Sequence, residues 1–99
     1  MNIGKAIKLC RNRRGLSQAK LAKLANCSVS YLSLLENSQR DPTLSTIENV
    51  ALALNVPIGI LFFLGAEKNE MSGFDRELAG QLAVTALEFL SEEHQSTLL

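Results

Sequence analysis

Serine, histidine, aspartate and cysteine all occur in this 99-residue chain, yet none is placed for bond-making chemistry. The one histidine, His94, lies in an acidic tail, remote from any glycine-rich elbow or cysteine nucleophile. Cys10 and Cys27 read as buried small hydrophobes rather than a disulfide framework, and a single histidine is too little for zinc. The chain is expected to be no enzyme and to need no metal or cofactor. What remains is hydrogen-bonding and charge chemistry, concentrated between residues 15 and 42 in GLSQAKLAKLANCSVSYLSLLENSQRDP. This stretch predicts two short helices joined by a tight turn, the second bare of charge until Glu36 and rich in small polar residues.

The elements that position those groups follow from local signals. Ser17 can cap the first of the two helices, and Leu21, Ala22, Leu24 and Ala25 give it an apolar side. Asn26 sits at the turn, where a positive φ is needed and Asn tolerates it. Ser28 can cap the second helix, with Leu32 and Leu35 as inward anchors. Two helices so arranged form a helix-turn-helix, in which the first braces the second against a groove of DNA.

Charge points the same way once the chain is divided. Lysine plus arginine equals aspartate plus glutamate, ten each, so the net charge is zero. Yet residues 1–41 carry eight basic and two acidic side chains, a net of +6, and residues 42–99 carry the reverse, −6. A basic half holding the two-helix motif is an electrostatic footprint for nucleic acid. The plainer alternative is that these cations solvate the outer faces of two helices.

Two prolines, one tyrosine, no tryptophan and many Leu and Ala residues favour an all-α fold, and 46 % hydrophobic with 20 % charged residues is globular. Residues 3–14 predict a helix with Ile3, Ile7 and Cys10 inward and Lys5, Lys8, Arg11 and Arg14 available outward, stopped by Gly15. Residues 36–42 are a polar loop. Thr43 caps a fourth helix with Leu44, Ile47, Val50, Ala51 and Leu54 at core spacing, ended by Asn55-Val56-Pro57. A fifth, residues 58–64, is apolar nearly all round. Residues 65–73 form a polar hinge with glycine at both ends. Residues 74–90 predict a last helix with Phe74, Leu78, Leu82, Ala86 and Phe89 on one face, widened by Ala79, Ala83, Leu87 and Leu90. That stripe either packs on its own domain or contributes to a dimer interface. The architecture expected is a helix-turn-helix domain (1–64), a hinge (65–73) and a C-terminal amphipathic helix (74–99). Met1 leads into a basic amphipathic segment rather than an apolar run, and the apolar run 56–66 is about half a membrane span. A cytoplasmic protein without membrane contact is expected.

The chain resembles the phage Cro/cI-type repressor fold, the XRE-like family of helix-turn-helix regulators. The resemblance covers residues 3 to 64 and rests on Gly15-Leu16-Ser17-Gln18, Leu21-Ala22, Ser28, Leu32-Ser33, Leu35-Glu36-Asn37 and Arg40-Asp41-Pro42. It implies a five-helix DNA-binding domain that dimerises on a short palindrome. Carried over by position, Gln18 meets phosphate and sometimes an adjacent base. Ser28 opens the recognition helix (28–36), whose exposed face carries Val29, Ser30, Ser33 and Leu34. The serines suit base edges and Val29 and Leu34 suit thymine methyl groups. Tyr31 either reaches a phosphate or is partly buried against the preceding helix, while Asn37 and Arg40 follow the DNA backbone. Arg11 and Glu36 are implied as a structural ion pair that orients the recognition helix. Three positions depart from the family pattern. Leu34 stands where relatives more often carry Arg, Gln or Lys, Ser38 replaces a frequent Gly, and Asn26 replaces the frequent turn Gly.

The function expected is a sequence-specific regulator that binds double-stranded DNA as a homodimer, with recognition helices roughly 34 Å apart. Ile58, Leu61, Phe62 and Phe63 are the expected dimer surface, supported by Leu78, Leu82 and Phe89. Phe62 and Phe63 are adjacent, so at most one is expected to face the core. The alternative is an antitoxin-type or other protein-interaction regulator, its acidic last helix masking a basic partner, with DNA binding secondary.

Overall fold

The computed structural model describes residues 1–71 and 76–91. Phe74, His94, the last two hinge positions and the chain beyond residue 91 lie outside the described residues. Helices α1 (Ile3–Arg13), α2 (Gln18–Leu24), α3 (Val29–Glu36), α4 (Leu44–Leu54) and α5 (Ile58–Gly65) are followed by a 3₁₀ turn (Lys68–Met71) and α6 (Arg76–Ser91). The described fold is all-helical.

Capping side chains start the first four helices. Asn2, Ser17, Ser28 and Thr43 accept from the backbone N–H of Lys5, Lys20, Tyr31 and Thr46. The same four helices also end alike. Each is closed by a residue at positive φ, Gly15 (71°), Asn26, Ser38 and Asn55 (59° each). In each case the next N–H reaches back across the last turn: Leu16 to Arg11 O, Cys27 to Ala22 O, Gln39 to Leu34 O and Val56 to Ala51 O. Ser38 therefore takes the left-handed geometry usual for glycine, and its hydroxyl donates to Asn2 Oδ1 at 3.0 Å.

The core gathers Ile7, Cys10, Leu21, Leu32, Leu35, Val50, Leu54 and Leu61, all fully buried. Burial pushes the Cys10 thiol up to about 11. Its protonated form is thus favoured in the folded state. The associated stability is complete below pH 9 and is lost as pH rises through 9 to 11, a contribution of roughly 2–3 kcal/mol. Urea midpoints from pH 8 to 11 should fall more steeply for the native chain than for Cys10→Ala; parallel curves would contradict this.

Several expected placements need correction. Leu24 and Leu44 are 51 % and 62 % exposed, because α2 and α4 present them away from the helices they pack on. Arg14 does not project outward: its guanidinium donates to Leu54 O (3.0 Å), Asn55 O (2.9 Å) and Leu90 O (3.4 Å). It thereby satisfies Leu54 O and Asn55 O, where α4 ends, and adds a longer contact to Leu90 O of α6. Phe62 and Phe63 are both half-buried against the core, because α5 is flanked by α1, α4 and α6 together. Leu61 is fully buried, which removes it from any dimer surface. Gly65 closes α5, buried, with its carbonyl accepting from Asn2 N at 2.6 Å.

Helix α6 packs on α1 and α5 mainly through its second half. Ala86 and Leu90 are buried and Phe89 is half-buried, whereas Leu78, Val84 and Leu87 are exposed. No single described helix is long and apolar enough to cross a membrane.

Candidate nucleic-acid interface

Helix α3 divides into two sides. Leu32, Leu35 and Glu36 are buried, with α2 and α1 packed against them. On the other side Ser28, Val29 and Ser30 are exposed, and Tyr31, Ser33 and Leu34 are half-buried. Asn37 and Arg40 follow in the exposed loop, Asn37 donating to Ser33 Oγ at 3.4 Å. The Ser28 hydroxyl oxygen is committed to its cap, though its proton remains available. The residues expected to face DNA thus share one surface around α3 and the start of α2.

The brace beneath this surface is an ion pair. Arg11 Nε donates to Glu36 Oε2 at 2.7 Å and Nη2 to Oε1 at 3.0 Å, a bidentate contact. The Glu36 side chain is 1 % exposed and that of Arg11 11 %. Arg11 Nη1 also donates to Leu16 O at 2.8 Å, and Gln18 Nε2 donates to Glu36 Oε1 at 3.0 Å. One buried carboxylate therefore ties the end of α1, the start of α2 and the end of α3. The sequence offered no separate signal for the Gln18 contact, since positions 18 and 36 share no periodic relation.

The electrostatics are simpler than the charge count. Of the eight cations in the basic half, Arg11 and Arg14 are spent on the fold. Lys5, Lys8, Arg13, Lys20, Lys23 and Arg40 are exposed. Cys27, half-buried in the turn before α3, has its thiol raised by burial and is less nucleophilic for it.

A helix-turn-helix family model matches residues 7–61 of the chain, more than half its length and spanning α2 and α3. The chain belongs to this helix-turn-helix family. Among its relatives, an immunity repressor protein of Bacillus phage phi105 is 43 % identical over 61 residues, covering 62 % of this chain and 42 % of the repressor. A 10 kDa protein of the ImmF control region of the same phage is 31 % identical over 74 residues, covering 75 % and 82 %. The transcriptional regulator SinR of Bacillus subtilis is 38 % identical over 60 residues, covering 60 % and 54 %. The chain spans less than half the length of the immunity repressor and about half that of SinR, so the shared part is the helix-turn-helix domain. By name, two of these relatives are a repressor and a transcriptional regulator.

Proposed function

We propose that the protein is a transcriptional repressor that binds double-stranded DNA sequence-specifically as a homodimer on a palindromic operator. The observation that carries this reading is the exposed outer side of α3, held against α1 by the Arg11–Glu36 pair and against α2 by Gln18, in a half of the chain whose six other cations are exposed. Ser30 and Ser33 address base edges, Val29 and Leu34 thymine methyl groups, and Gln18, Ser28, Tyr31, Asn37 and Arg40 complete the contact surface. Residues 1–64 serve as the DNA-binding domain, 65–73 as the connection and 74–99 as the packing or dimerisation segment. The dimer face draws on Ile58, Phe62 and Phe63 of α5 with Leu78, Leu82 and Phe89 of α6. Leu52, 79 % exposed beside Pro57 and Ile58, extends that apolar surface.

Selection of bound fragments from a random duplex library tests this reading. A palindrome with half-sites about ten base pairs apart is the expected product. If each dimer neutralises on the order of 6–10 phosphates, affinity falls roughly 10³–10⁵-fold between 50 and 200 mM salt. A slope near zero would remove DNA as the partner. The protein-interaction reading draws on exposed Val84 and Leu87 of α6, and stoichiometric co-purification of a basic protein would favour it.

A further inference from the structure

Two helices carry outer stripes of opposite charge that the proposed DNA contact does not use. On α1, Gly4 and Arg11 face α3, since a Cβ on Gly4 would meet Leu35 O and Arg11 binds Glu36. At roughly 100° per residue, Lys5, Leu9 and Arg13 form a line about 150° around the helix from that side. All three are exposed, Leu9 by 40 %, and neither cation has an ion partner among the described residues. The line reads cation, aliphatic, cation, and spans about 12 Å along the axis.

Helix α6 carries the complement. Ala86 and Leu90 mark its packed side, and Glu77, Val84 and Glu88 line up about 160° from them. Both carboxylates are exposed, Val84 is 54 % exposed, and Glu77, Gly80, Gln81, Val84 and Thr85 rim an open notch. No side chain fills it at Gly80, where a Cβ would meet nothing within 4 Å. Residues 77–91 hold no Lys, Arg or His, so no cation of that segment offsets the stripe. It spans about 16 Å, a mismatch with α1 that the long Lys and Arg side chains can bridge. It also lies about 120° from Leu78, Leu82 and Phe89, apart from the proposed dimer face. We propose that the outer stripe of α1 docks on the α6 stripe of a second copy, Leu9 entering the Gly80 notch while Glu77 and Glu88 meet Lys5 and Arg13. The chain itself supplies both signs, +6 in residues 1–41 and −6 in residues 42–99. Pairing α6 with another α6 would instead bring carboxylates together. The contact leaves α3 free, and it goes beyond the DNA reading without depending on it.

Sedimentation of the full 99-residue chain without DNA tests it. Raising salt from about 50 to about 500 mM should weaken this association, because exposed charges are screened, while an apolar dimer face persists. Lys5→Glu with Arg13→Glu, and separately Glu77→Lys with Glu88→Lys, should each weaken it roughly 10- to 100-fold, since opposite pairs become like ones. All four changes in one chain keep the net charge at zero and should restore it. Lys20→Glu with Lys23→Glu on α2, combined with the α6 reversal, also keeps the net charge at zero but should not. Every position changed is exposed, so the fold should survive each variant. Restoration by the α2 combination as well would mean diffuse charge attraction, and no restoration by the α1–α6 swap would mean that these stripes do not pair. Either result overturns the proposal, as does a native chain whose mass ignores salt. A homodimer that persists in every variant and selects a palindrome keeps the DNA reading whichever way this test falls.

Discussion

Glu36→Ala is expected to destabilise the fold by about 3–5 kcal/mol, the cost of removing one partner from a buried ion pair. The loss is large because three donors are stranded together. Arg11 Nε and Nη2 lose the carboxylate, retaining only the Leu16 O contact through Nη1, and Gln18 loses its anchor. The Arg11 side chain is 11 % exposed, so water can replace few of those bonds where it stands. Urea denaturation at neutral pH is the measurement, with an unchanged slope showing that the effect lies in stability. Arg11→Ala should cost at least as much, since it leaves a carboxylate that is 1 % exposed with Gln18 as its one remaining partner. Replacing both by Met or Leu should recover most of the loss, because apolar pairs of similar volume avoid the desolvation penalty. A single Glu36→Ala variant melting with the native protein would show the pair to be inert.

The DNA-facing consequence separates from the stability one. Glu36 closes α3, and the pair fixes how far that helix is rotated against α1 and α2. The doubly apolar variant keeps the packing but removes the acceptor of the Gln18 amide, so on the proposed function it should fold and still bind DNA less tightly.

What was legible in the sequence was largely local. Ser17, Ser28 and Thr43 announce helix starts because their caps act within three residues, and Gly15, Asn26 and Asn55 announce helix ends because few residues tolerate positive φ. The outward side of α3 followed once Leu32 and Leu35 were set inward. What escaped depends on tertiary context. Arg14 has the same local setting as an exposed cation, and only the neighbouring carbonyls of α4 and α6 draw it in. Leu24 and Leu44 fit core periodicity yet lie exposed, because spacing alone does not say how wide the facing helix is. Leu61 on a helix apolar all round gave no way to choose its face, and α5 turned out to be covered on three sides. Gly4 carried a signal that can be read in retrospect: glycine inside a helix costs about 1 kcal/mol against alanine, and something must require it.

Gly4→Ala is expected to destabilise by about 3 kcal/mol or more, although alanine is the better helix former. A Cβ at this position would stand 1.8 Å from Leu35 O and 2.8 Å from Leu35 C, so backbone has to move. Neither side can yield cheaply. Leu35 is fully buried, and the end of α3 is held by the Arg11–Glu36 pair and by Ser38 N and Gln39 N bonding back to Leu35 O and Leu34 O. Overpacking a well-filled core costs typically 1–3 kcal/mol, and displacing rigid backbone lies beyond that range. Gly80→Ala is the matching control, since its added Cβ meets nothing within 4 Å and should gain up to about 1 kcal/mol. Urea midpoints moving in opposite directions for the two variants are the expected result; Gly4→Ala melting at or above the native protein would mean that α1 and α3 can separate freely. Because α1 packs directly on α3, the clash at Gly4 should, on the proposed function, also lower affinity for DNA.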